Sequence, residues 1–269
     1  FLLLLILVGV AMTLPGLKAG LTFFLRPDFS KITTGVVLSA LGQAFFSLSL
    51  GMGILITYSS YFPRDTRLCR TAVTVSLLDL LVAILMGLII FPSVTSFGLQ
   101  NESLQGATLV FITLPEVFAH MPATAIWSSA FFLLLTVAAL TSTISIAEVT
   151  IAFLADRFRL SRIKACLLTL MPLFLFSSLC SLSQGPLSEI TIAGRNIFDF
   201  LDFFATNIML PAGALLLCVY MGWFAPRRLL RDQLTNFGQI TSHMPGIITA
   251  ILRYVAPILI LFILLSSII

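Results

Sequence analysis

Seven stretches of this chain are apolar over the length that an α-helix needs to cross the hydrocarbon core of a bilayer, about 20 residues. They fall at roughly 1–17, 37–62, 71–92, 124–155, 164–183, 198–223 and 245–268. Lipid offers the backbone no hydrogen-bond partners, so runs of this length span as helices that satisfy themselves. The composition agrees: 59% of residues are hydrophobic and 10% charged, where a soluble domain carries about 25% charged residues. The expected class is an all-α integral membrane protein with one transmembrane domain over 1–269. The net charge of +4 is the lysine and arginine excess usual in cytoplasmic loops, so no nucleic-acid partner is implied. Cys69, Cys166, Cys180 and Cys218 have no ligand spacing, and His120 and His243 lie far apart. A structural metal site is not expected, and the cysteines read as small apolar fillers.

The loops set the orientation. If the 63–70 loop is cytoplasmic, that side holds Arg64, Arg67, Arg70, Arg157, Arg159, Arg162, Lys164, Arg227, Arg228 and Arg231. The opposite side holds Lys18, Arg26, Lys31 and Arg195. Ten against four follows the positive-inside rule and puts the N-terminus inside and the C-terminus outside a cell (inner or plasma) membrane. The opening "FLLLLILVGVAM" has no methionine, charged leader or cleavage site. It reads as a chain that starts inside a helix, N-terminally truncated, rather than as a signal peptide. Between the spans, "GATLVFITLPEVFAHMP" predicts an outer helical hairpin over about 102–122, too short to cross. The segment 224–244 predicts a cytoplasmic amphipathic helix. The triplet Asn101-Glu102-Ser103 matches a glycosylation sequon and arises often by chance. Seven spans also suit a receptor or photoreceptor. The N-terminus is on the wrong side for the first, and no lysine sits mid-span for the second.

Inside the second span stands "FFSLSLGMG", residues 45–53. Glycine costs a helix roughly 1 kcal/mol relative to alanine, so Gly51 and Gly53 need a reason. Close packing between helices favours small residues four apart, whereas these are two apart and point to different sides. The stretch therefore reads as a helix broken on purpose, which at that depth is tolerated only where it lines a protein cavity. A binding site for ions and a small polar solute is expected there, using the half-helix ends and freed carbonyls.

Two further polar features lie at membrane depth. Asp79, in "TVSLLDLLVAIL", is an ionisable group costing about 3 kcal/mol to insert. It reads as satisfied by hydroxyls of a neighbouring helix or as a ligand for an external cation. Ala138, Thr141, Ser142 and Ser145 share one helix face by their spacing. That face is either the small-residue glue of helix packing or an oxygen-lined cation site. Glu148 follows in the same helix, with no partner assignable from the sequence.

Four motifs together resemble the neurotransmitter:sodium symporter family, which has the leucine-transporter fold, in its prokaryotic amino-acid branch. "GQAFFSLSLGMGILITYSSY" (42–61) is similar to the family's broken sixth helix, and "FITLPEVF" (111–118) to its outer hairpin. "LTSTISIAEVTIAFLAD" (140–156) is similar to the eighth helix and "FLDFFATNIMLPAG" (200–213) to the tenth. The resemblance covers the whole chain, from within the family's fifth helix through the eleventh, and implies a partial inverted-repeat fold of about seven helices with one broken.

The resemblance also implies roles. Ser47 and Asp79 fall at the first sodium site, and Ala138 (by its carbonyl), Thr141 and Ser142 at the second. Phe46, Ser49, Gly51, Met52, Ser142 and Ile146 fall on the substrate pocket, with Phe46 as its outer lid. Asp202 matches the acidic half of the outer gate, and Tyr61 and Asp156 the inner gate; the arginine partners of both gates lie in helices outside this chain. Gln43 and Ser47 match chloride-site positions, but Ala83 replaces the serine or glutamate usual there. With Asp79 one turn before Ala83, chloride is not expected to be required. The implied function is sodium-coupled symport of an amino acid, of apolar side chain, with two sodium ions and no enzymatic step. An amine or betaine importer on the same fold, or a non-transporting receptor or scaffold, are the alternatives. The oligomeric state is not legible.

Overall fold

The computed structural model describes all residues except 64, 99–109, 112–113, 120–122, 236, 239–243 and 269. In chain order the helices are α1 (Leu2–Ala11), α2 (Leu17–Leu25), α3 (Thr34–Ser47), α4 (Ile54–Ser60) and α5 (Leu68–Ser96). They continue with α6 (Leu114–Ala119), α7 (Thr124–Phe158) and α8 (Arg162–Leu182), then α9 (Ile197–Phe224), α10 (Arg227–Leu234) and α11 (Pro245–Ser266). A two-stranded antiparallel hairpin, β1 (Thr191–Ile192) and β2 (Arg195–Asn196), precedes α9. α5, α7, α8, α9 and α11 are long and apolar enough to cross a membrane; the first two expected spans are built from shorter helices. The chain divides into two compact units, one of Phe1–Ile32 with Thr74–Ser142, the other of Thr33–Val73 with Thr143–Ile269.

The first unit corrects the expected span 1–17. α1 stops at Ala11, where the amides of Thr13 and Leu14 turn back to Val10 and Ala11. The cause is local: Pro15 and Gly16 follow, and the chain re-enters a helix at Leu17. The apolar run hides this turn because Met12 and Leu14 continue it. α2 then lies against the end of α5. Gly16 donates to Ser96 Oγ at 2.8 Å, and Thr95 Oγ1 donates to the Gly16 carbonyl at 2.9 Å. Phe24 stacks on Phe91, centroids 4.9 Å apart. α5 is also longer at both ends than the expected 71–92, and it carries Pro92 inside it. The core of this unit joins Leu4 and Leu7 of α1, Ile89 of α5, Leu114 and Phe118 of α6 and Phe131 of α7. Of the expected hairpin, α6 is described; the sequon at 101–103 and most of 102–122 lie outside the described residues.

The second unit holds the expected break. α3 and α4 are separate helices, with six residues between them in a non-helical path. α9 departs from ideal winding twice, in π-helical turns at Phe204–Met209 and Tyr220–Phe224, and α11 does so at Ile251–Val255. α11 packs along α9 and α3. α10 is the amphipathic helix expected in 224–244, confined to eight residues. Apolar side chains cover the outer faces, as in α8, where Phe174 and Met171 are more than two-thirds exposed. Among lipid tails such faces need no protein cover.

Candidate functional site

The break ends α3 in a defined way. The Leu50 amide donates to the Phe45 carbonyl at 2.9 Å, and the Ser49 amide to Phe46 at 3.0 Å. This pair of bonds is a Schellman motif, with Ser49 in the left-handed position that glycine usually fills. Its φ of +54° is unfavourable for a side chain bearing a Cβ. Gly51 (φ +82°) and Gly53 (φ +79°) follow, and Gly53 is the N-cap of α4.

Gly51 has a second constraint, which the sequence reading underestimated. A Cβ at this position would lie 2.5 Å from the Leu210 carbonyl oxygen and 3.1 Å from the Ala214 amide of α9. A Cβ on Gly213 would in turn lie 3.0 Å from the Gly51 carbonyl. Two glycines from distant parts of the chain thus let backbone meet backbone. The helix is both broken and closely packed.

α4 is pinned to α7 by two rungs one turn apart. Tyr58 and Ser145 share a hydrogen bond between their hydroxyls. Below it, Tyr61 donates to Glu148 Oε1 at 2.8 Å, while Arg162 Nη2 reaches both oxygens of Glu148, at 2.9 and 2.7 Å. Glu148 is therefore partnered twice. The Glu148 side chain is 13% exposed and that of Arg162 66%, so the pair is half in water and screened, and it adds little by itself. A Cβ on Gly53 would meet Val149 Cγ1 at 3.1 Å, which sets the start of α4 against the same helix, one turn from Ile146.

The expected residues are placed as follows. Phe46, Ser49, Gly51 and Met52 lie on or beside the break, with Phe46 half exposed. Ser47 ends α3 in the second unit. Asp79 is the twelfth residue of α5, half-buried, about 16 Å from the start of that helix, and so mid-span. Thr141 Oγ1 donates to the Ala138 carbonyl at 2.8 Å, which joins two of the three expected ligands of the second sodium site, and Ser142 is the next residue. Oxygen donors of this kind suit hard cations. Tyr61 is held by Glu148, whereas Asp156 is exposed eight residues further along α7, about 12 Å away. Asp202 lines a cavity of about 370 Å³ with Arg195, Asp199, Phe203 and Asn207. The Arg195 guanidinium carbon stands 3.9 Å over the Phe203 ring.

A larger cavity, about 820 Å³, lies on the other flank of α4, where Ile56, Ser59 and Ser60 meet Leu229, Leu230 and Leu234 of α10. α4 thus turns Tyr58 and Tyr61 to α7, and this other side towards α10.

The pairing of Glu148 and the place of Arg253 go beyond what the sequence analysis assigned. The Glu148–Arg162 pair joins a helix to the residue that opens the next one, and no periodicity signals such a contact. Arg253 was legible, because the loops account for all but one of the 15 basic residues and the remaining one sits inside the last span.

The clamp on α4 has a testable consequence. Glu148→Ala removes the acceptor shared by Tyr61 and Arg162, and the expected result is a roughly fivefold gain in labelling of a cysteine introduced at Ser60, as α4 loosens. Glu148→Arg with Arg162→Glu restores the pair in reverse and should return labelling towards the starting level. Equal labelling in all three proteins would show that the clamp holds nothing.

A mostly helical protein with five helices able to cross a membrane, an interrupted helix between α3 and α4, and hydroxyl and carbonyl oxygens grouped on α7 fits the class of secondary transporters built on discontinuous helices. The sequence pattern of the Sodium:neurotransmitter symporter family matches residues 1–269, and the chain belongs to that family. It is 39% identical over 260 residues to an uncharacterized sodium-dependent transporter of Haemophilus influenzae, covering 95% of this chain and 55% of that protein. It is 35% identical over 268 residues to the uncharacterized sodium-dependent transporter YhdH of Bacillus subtilis, covering 100% of this chain and 59% of that protein. The crystal structure of MhsT in complex with L-phenylalanine superposes with a TM-score of 0.85 at 41% identity, covering 99% of this chain and 60% of MhsT. The chain thus spans somewhat over half the length of these relatives, and its fold is part of the leucine-transporter fold, in a multi-pass membrane protein.

Proposed function

We propose that the full-length protein is a sodium-coupled symporter of an apolar amino acid, working by alternating access. The observation that carries this reading is the interrupted helix at 48–53, held in the left-handed region at Ser49, Gly51 and Gly53. An unwound segment at span depth is costly unless its amides and carbonyls are used. A zwitterionic amino acid uses both, and the substrate contacts are assigned to Ser49, Gly51 and Met52, with Phe46 and Ile146 against its side chain. That MhsT was crystallised with L-phenylalanine supports a substrate of this kind. Ala138, Thr141 and Ser142 hold the second sodium ion, and Asp79 supplies the carboxylate for the first, with Ser47 as a further ligand. Phe46 and Asp202 act at the outer gate, Tyr61 and Asp156 at the inner one, and Glu148 with Arg162 steadies Tyr61 there. Transport forms and breaks no covalent bond, so the protein is not read as an enzyme.

The test is uptake of radiolabelled phenylalanine and leucine by the full-length protein in proteoliposomes, with an inward sodium gradient against a potassium gradient. Saturable uptake with sodium alone is expected. Uptake indifferent to sodium would overturn the reading.

Chloride independence is a separate expectation. At a separation of about 4 Å and an effective dielectric constant of 20, a carboxylate and a sodium ion attract by about 4 kcal/mol. Asp79 on the first sodium ion would make a bound anion unnecessary. Uptake rates in sodium gluconate and sodium chloride should agree, while Asp79→Asn should weaken sodium dependence and leave a rate that chloride partly restores. A strict chloride requirement in the unmutated protein would rule out this role for Asp79.

A further inference from the structure

Arg253 is the ninth residue of α11, inside an apolar span, where an arginine needs polar partners or a route to the interface. The geometry shows why it is tolerated. The π-helical turn Ile251–Val255 lies against the π-helical turn Tyr220–Phe224 of α9. Gly222 brings the two helices so close that a Cβ there would lie 3.0 Å from Arg253 Cα and 3.1 Å from the Leu252 carbonyl. A π turn releases a carbonyl from the regular helical ladder. The Gly222 carbonyl accepts the Arg253 Nε–H at 2.8 Å. The Trp223 indole donates to the Arg253 carbonyl at 3.3 Å, and the guanidinium carbon lies 5.1 Å from the Trp223 ring centroid. Trp223 in turn meets Tyr254 edge-on, at 6.0 Å.

This arrangement fixes both the depth and the aim of the guanidinium. Gly222 lies near the end of α9, five residues before Arg227 opens α10. Arg253 is therefore level with the arginine-rich end of α9, where its long side chain can reach the interface. Trp223 and Tyr254 are each more than half exposed, as in the aromatic belts that mark that level. Nε is used by Gly222. Among the described residues, the two Nη groups have no protein acceptor. α10 packs on the first turn of α11 and carries Arg228 and Arg231, both exposed. The site thus offers a planar N–H fork at headgroup depth, an aromatic pair beside it and further positive charge on the adjoining helix.

We propose that Arg253, with Trp223 and Tyr254, binds the phosphate of an anionic phospholipid of the cytoplasmic leaflet. A guanidinium fork matches two phosphate oxygens, and the α10 arginines favour a headgroup without a compensating amine. The ligand is a lipid rather than free phosphate because the exposed rings flanking the fork would lie against acyl chains and glycerol.

The test is native mass spectrometry of the full-length protein in detergent with phosphatidylglycerol, phosphatidylcholine or inorganic phosphate added. Retention of phosphatidylglycerol over phosphatidylcholine is expected, with no retention of inorganic phosphate. Arg253→Gln should reduce that preference about tenfold, the effect of losing a charge-assisted hydrogen bond. If the glutamine variant does not fold, Arg253→Lys is read instead. Lysine keeps the charge but cannot join Gly222 and a phosphate through one fork, so the preference should fall there too. Equal retention of the two lipids by the unmutated protein, retention of free phosphate in place of lipid, or an unchanged preference in the variant that folds would each overturn the proposal.

Discussion

Gly51→Ala is expected to lower the melting temperature of the purified protein by about 5–15 °C and to abolish uptake. Two costs add at this position. A residue with a Cβ in the left-handed region loses roughly 1–2 kcal/mol, and φ here is +82°. The new Cβ would also stand 2.5 Å from the Leu210 carbonyl oxygen, a backbone atom that moves only if α9 moves. Overpacking of this kind costs typically 1–3 kcal/mol. Gly53→Ala is the comparison. It has the same backbone strain, at φ +79°, but its Cβ would meet Val149 Cγ1 at 3.1 Å, a side-chain atom that can rotate away. Gly213→Ala isolates the packing cost, because Gly213 lies within a regular stretch of α9 and its Cβ would sit 3.0 Å from the Gly51 carbonyl. The expected order of damage in thermal unfolding is Gly51, then Gly213 and Gly53. Equal melting temperatures for the Gly51 and Gly53 variants would show that the broken segment and α9 are not in close contact.

That comparison also marks what a sequence can disclose. The spacing of Gly51 and Gly53 reveals the break, because two glycines separated by one residue serve no single packing face. It does not reveal that Gly51 faces Leu210 and Gly213, since the partner lies about 160 residues away and "LPAG" has no periodicity of its own. The spans were legible because a helix in lipid must be long and apolar, which leaves a signal in every residue. Their ends were less so: α1 stops at Ala11, yet the residues after the stop remain apolar across the turn. Ser49 is harder still. It takes a backbone position where glycine is the usual signal, and only the bonds from Leu50 and Ser49 back into α3 expose it. Glu148 was visible as a charge at depth, but its partners are Tyr61, 87 residues before it, and Arg162, 14 residues after it. Arrangements of that kind depend on how helices meet, and the order of residues within one helix does not encode them.

The hydroxyl face of α7 remains the place where two readings make opposite predictions. Thr141 Oγ1 bonds back to the Ala138 carbonyl within its own helix. Such a bond adds little to helix stability and tends to bend the helix slightly, so removing it should not unfold the protein. Thr141→Ala with Ser142→Ala is therefore expected to leave expression and melting temperature near those of the unmutated protein when sodium is absent. Sodium is another matter. At the proposed second sodium site two oxygen ligands are lost, each worth about 1.5–3 kcal/mol when the partner is charged and desolvated, so half-saturation for sodium should rise by about a hundredfold or more. The stabilisation that sodium confers on the folded protein, which grows with the logarithm of its concentration over the dissociation constant, should vanish over the same range. Thermal unfolding across a sodium titration at constant ionic strength reads both quantities at once. If the face only glues helices together, the double variant should melt lower without sodium and respond to sodium as before.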